Sequence, residues 1–62
     1  MTGDWTIDET ARHFVRADGT RLIRDQDGRW WHVTASGGQK LAGPFAEPQA
    51  AGVPGELAER IA

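Results

Sequence analysis

The chain has 62 residues, a formal net charge of −2 and no cysteine, which allows one domain and excludes disulfides and thiolate metal sites. A domain this short buries only about 60% of its unfolded surface, so it depends on aromatic packing, a partner or self-association. Three Trp and two Phe supply aromatic packing, and no apolar run approaches the roughly 20 residues that span a bilayer.

The first residues, Met1 to Trp5, have neither the basic nor the apolar region of a signal peptide. The chain therefore reads as cytoplasmic, with no membrane partner. Its composition, rich in Ala, Gly, Arg and Asp with one Lys, fits a bacterial or phage gene of high GC content. Trp5 and Ile7 alternate as in a strand, and Asp8 is placed to cap a turn through Ala11. Three turn signals follow: Asp18-Gly19, Asp27-Gly28 and Ser36-Gly37-Gly38. Asp-Gly supplies the positive φ that tight hairpins need. No internal repeat is evident. The pattern predicts one α+β domain, an antiparallel β-meander of three to four strands at about 11–17, 20–25, 29–35 and 39–43. Pro48 and Pro54 forbid one continuous C-terminal helix. Pro54 suits the start of a short one at about 54–62, docked through Leu57 and Ile61. A separate helical turn near Pro48 fits residues 46–51.

Two-residue loops at the Asp-Gly turns would set Val15, Leu22, Trp31, Val33 and Leu41 on a core face beneath the helix. A three-residue loop at Ser36-Gly37-Gly38, with Gly38 left-handed, brings Leu41 beside Val33. Arg12, Phe14, Arg16, Arg21, Ile23, Trp30 and His32 then occupy the other, half-exposed face. At Asp27-Gly28 a four-residue loop keeps this assignment and a three-residue loop would swap Trp31 and Val33 with Trp30 and His32, because side chains alternate with period two.

Enzymatic chemistry finds little support. His13 and His32 fall on opposite faces, so they cannot share a metal, and Ser36 sits in a glycine turn without a base. Asp25-Gln26-Asp27-Gly28 resembles a calcium loop only until its twelfth position, where Ser36 replaces the required Glu. No catalytic residue, metal site, cofactor or small-molecule substrate is expected. Charge is uneven: residues 11–45 carry six of the seven Lys and Arg, while both ends are acidic. Trp and Arg dominate binding hot spots. A Trp30, Phe14 and Ile23 cluster ringed by Arg12, Arg16 and Arg21 therefore predicts a protein-binding or homodimer surface, with His32 and Arg29 beside it.

Arg21-Leu22-Ile23-Arg24, Gly28-Arg29-Trp30-Trp31 and Gly43-Pro44-Phe45 with Ala50-Ala51 resemble the AP2-like DNA-binding domains of plant transcription factors and phage integrases. The resemblance implies a three-stranded sheet backed by a helix, with Arg21, Arg29 and Trp30 contacting DNA. Nucleic acid is thus the second expected partner class. The chain departs from that family in its acidic net charge and in Pro48, Gly52 and Pro54, which interrupt the family's long helix.

Overall fold

A computed structural model describes residues 4–61. The first three residues and Ala62, the expected helix end, lie outside them. Five antiparallel strands form one open sheet in chain order: β1 (Trp5–Asp8), β2 (His13–Arg16), β3 (Arg21–Arg24), β4 (Trp30–Val33) and β5 (Lys40–Phe45). A 3-10 turn at Pro48–Ala51 and one helical turn, α1 (Gly55–Ala58), complete the chain. The expected meander is present, with an additional edge strand: the alternation of Trp5 and Ile7 is β1, paired with β2. Asp8 Oδ1 accepts the Ala11 N–H at 3.1 Å and shapes the β1–β2 loop.

Each Asp-Gly turn closes with three residues, not two. Arg16 N–H donates to the Thr20 carbonyl at 2.8 Å, and Asp25 N–H to the Arg29 carbonyl at 2.8 Å. A two-residue type I′ turn needs positive φ at both central residues. Here only the glycines have it, Gly19 at +92° and Gly28 at +83°, while Asp18 and Asp27 do not. The aspartates act through their side chains or their place in the turn. Asp18 Oδ1 accepts the Thr20 N–H and hydroxyl, and Asp25 Oδ1 accepts the N–H groups of Asp27 and Arg29. The third hairpin closes with four residues: Thr34 N–H donates to the Gln39 carbonyl, and Gly37, not Gly38, is left-handed. Gly19, Gly28 and Gly37 stand nine residues apart, a strand-plus-turn period that the sequence carries without obvious self-similarity.

One extra residue in each of two loops turns β3 over relative to both neighbours. Phe14 pairs with Leu22, and Leu22 with His32. One face therefore holds Trp5, Ile7, Phe14, Leu22, Trp30 and His32. The core is on this face: Trp5, Phe14, Leu22 and Trp30 pack with Val53, Ala58 and Ile61 from the C-terminal segment, and Leu57 packs at its margin. This corrects the expected core. Leu22 belongs to it, but Trp31 and Val15 do not, and Leu41 is 49% exposed. The helix docks on the Trp30 side rather than on Trp31 and Val33. Its first turn begins after Pro54, whose carbonyl accepts the N–H groups of Leu57 and Ala58.

Candidate interaction surface

The opposite face has no covering layer among the described residues. It carries Val15, Arg21, Ile23, Trp31 and Val33 in register, with His13 and Asp8 at one end and Lys40 beside Val33. Val33 is only 1% exposed yet lies outside the core cluster. Its cross-strand neighbours are Arg21 and Lys40, whose aliphatic stems can shield it while their charges stay in water.

Trp31 is held on three sides. Its indole N–H donates to Asp25 Oδ2 at 2.8 Å. The Lys40 ammonium lies 4.1 Å from its ring centroid, within cation–π range. On β5, a Cβ added to Gly43 would lie 3.0 Å from Trp31 Cε3 and 3.0 Å from the Trp30 carbonyl oxygen. With φ at +126°, Gly43 permits an approach that a side chain would block. Hydrogen bonds from Trp31, then from the Arg29 N–H, hold the Asp25 carboxyl below its ordinary pKa, and Lys40 adds a favourable charge.

Asp8 and Arg21 form an ion pair at 3.3 Å on the same face. The Ala11 N–H and then Arg21 hold the Asp8 carboxyl below its ordinary pKa. His13 is half-buried beside them. Desolvation, then the Arg21 charge, pushes its pKa down, and its Nδ1 is buried without a hydrogen-bond partner. A shallow cavity of about 330 Å³ opens here between Asp8, His13, Arg21, Ile23 and the β4–β5 turn.

The residues expected to form one exposed cluster are divided by the sheet. Phe14 is fully buried and Trp30 is 6% exposed, their ring centroids 5.4 Å apart in the core. Neither can anchor a partner on this fold. His32 is on the covered face, its ring against Trp5 at 6.1 Å. The Thr20 hydroxyl spends its hydrogen on Asp18, so His32 Nε2 donates to that oxygen at 2.6 Å. Arg16 lies over the Trp5 ring at 5.9 Å. Arg12, at φ +59°, donates to the Ile61 carbonyl at 2.9 Å and so ties the β1–β2 loop to the chain's end. Arg21 and Ile23 are on the open face, and Arg29 follows Trp31 on it by alternation. Trp31, Lys40 and Val15 complete that face and were not in the expected cluster. For Trp31 the signal was the three-residue alternative at Asp27-Gly28, which sets it on the face of Ile23.

His13 and His32 do lie on opposite faces. Among the described residues, no three His, Asp or Glu side chains gather as a metal site, and no helix is long and apolar enough to cross a membrane. Compared with protein-family models, curated proteins and solved structures, the chain matches none.

Proposed function

We propose that this chain is a small non-enzymatic binding module that docks a protein partner on the open face of its sheet. Trp31 is the anchor, and Ile23, Val15 and Arg21 extend the contact. The observation that carries this reading is the fixed orientation of Trp31. An indole already locked by Asp25, Lys40 and Gly43 loses little conformational freedom when a partner covers it, and so contributes more of its contact energy to affinity.

A photo-reactive side chain at Ile23, with the same group at Glu56 on the helix as control, tests the reading in cells that make the chain. The expected result is a discrete cross-linked species from position 23, lost in Trp31→Ala. Equal cross-linking from both positions, or none from position 23, overturns it. Sedimentation velocity at high micromolar concentration then distinguishes a second copy from a foreign protein.

DNA binding is the second reading. It is favoured by the presence of Arg21 and Arg29, two of the residues that the AP2-like resemblance sets against DNA, on the uncovered face together with Lys40. Trp30, its third carried-over residue, is in the core and is dropped. Phosphate contacts make affinity fall steeply with salt. A duplex shift at low salt that disappears as salt is raised would support this reading, and absence of any shift ends it.

A further inference from the structure

The charges on the open face do not cancel equally. Its two carboxylates are engaged within the fold. Asp8 accepts from Arg21 and the Ala11 N–H, and Asp25 accepts from Trp31 and two backbone N–H groups. Its cations are less engaged. Among the described residues, the ion pairs within 4 Å are Asp8–Arg21 and Glu9–Arg60, so Lys40 and Arg29 have no carboxylate at that distance. Both are exposed. Lys40 sits over Trp31, and Arg29, just before β4, is two residues from Trp31 along the chain, about 7 Å if extended. Asp27, at the tip of the β3–β4 turn, bounds this cationic stretch.

From this arrangement, and resting on the docking reading above, we infer that the partner segment is acidic: an apolar side chain that packs on Trp31 and Ile23, with carboxylates alongside that meet Lys40 and Arg29. Like charges set against each other at an interface are disfavoured, and complementary ones raise the encounter rate. A basic segment would meet Lys40 and Arg29 while finding Asp8 and Asp25 already occupied. An acidic one finds donors with unused capacity, since Lys40 has three N–H groups and Arg29 five. The shallow cavity beside Ile23, with Ala11 and Ala35 in its wall, gives the apolar side chain somewhere to enter.

The test uses the full chain, isotope-labelled and followed by NMR. The probes are two short synthetic peptides with the same central Phe-Leu pair, one flanked by glutamates and one by lysines, together with a short DNA duplex. The expected result is that the glutamate peptide alone shifts the Trp31 indole N–H and the amides of Ile23 and Lys40. Lys40→Gln and Arg29→Gln should each weaken it by about fivefold, and Trp31→Ala by about thirtyfold. Added salt should weaken it further. Thermal melts of the three variants confirm that each remains folded.

Equal binding of both peptides to the open face would overturn the acidic class and leave the docking reading standing. If neither peptide perturbs the open face, both fail. Shifts confined to the helix side would also overturn both. Duplex binding at this face without glutamate-peptide binding would overturn the inference in favour of a nucleic-acid phosphate backbone.

Discussion

Trp30 and Trp31 are neighbours in sequence and opposites in the fold. Trp30 points into the layer between sheet and helix, where it meets Phe14 and is 6% exposed. Trp31 points away from it, half-buried, with a hydrogen-bonded indole and a lysine over its ring. The covered face buries a hydrophobic cluster that draws on residues from β1 to Ile61, with Arg16 and His32 against Trp5 at its edge. The open face is built from pairs: Asp8 with Arg21, Asp25 with Trp31, and Lys40 with Trp31. One face resists change through packing, whereas the other holds its side chains in fixed positions while leaving them accessible. That difference assigns stability to Trp30 and leaves Trp31 as the anchor of the proposed docking surface.

The contrast breaks most sharply at Trp30. Trp30→Ala should cost about 3–5 kcal/mol. A domain of this size has total stability of only about 3–9 kcal/mol, so urea denaturation followed by circular dichroism should find the variant largely unfolded. Trp31→Ala should cost about 1–2 kcal/mol, a common value for a half-buried position, and keep the fold. If the two costs come out reversed, the faces are assigned the wrong way round. Lys40→Ala sharpens the comparison within the open face. Losing one exposed cation–π contact should cost about 0.5–1 kcal/mol and change the emission of Trp31 more than the urea midpoint.

The smallest effect near neutral pH belongs to His13. Its folded pKa lies below the unfolded value of 6.5, so the unfolded chain binds more protons and stability falls as pH drops from above 6.5 through the lowered value. His13→Gln should flatten the urea midpoint across that window. Asp8, Asp18 and Asp25 act lower on the scale. Their folded pKa values lie below 3.8. The stability they contribute is therefore complete above the unfolded value and is lost as pH falls through the folded ones. A midpoint that stays level from pH 7 down to pH 3 would contradict both assignments.

Much of the framework was legible in the residues. Asp18-Gly19, Asp27-Gly28 and Ser36-Gly37-Gly38 mark three of the meander's four turns, because a residue free to take positive φ is needed at each. Trp5 and Ile7 alternate as a strand does, and Pro48 and Pro54 divide the C-terminal segment, but the helix expected at about 54–62 is a single turn at Gly55–Ala58, so the fold is mostly β. The separation of Trp30 from Trp31 to opposite faces follows from period-two alternation alone. The site was less legible. Arg21, Ile23 and Arg29 lie on the open face, but Phe14 and Trp30, expected with them, belong to the core, and Arg16 and His32 lie on the covered face.

Sequence by itself determined that one tryptophan faces in and the other out. Only the tertiary structure decided which. The choice depends on one residue of loop length, hence on whether Asp18 and Asp27 take positive φ, and both strand registers are compatible with the same Asp-Gly pair. What separates them is burial summed over the whole chain, through contacts as distant as Arg12 with the Ile61 carbonyl, 49 residues away. Local turn chemistry does not contain that sum.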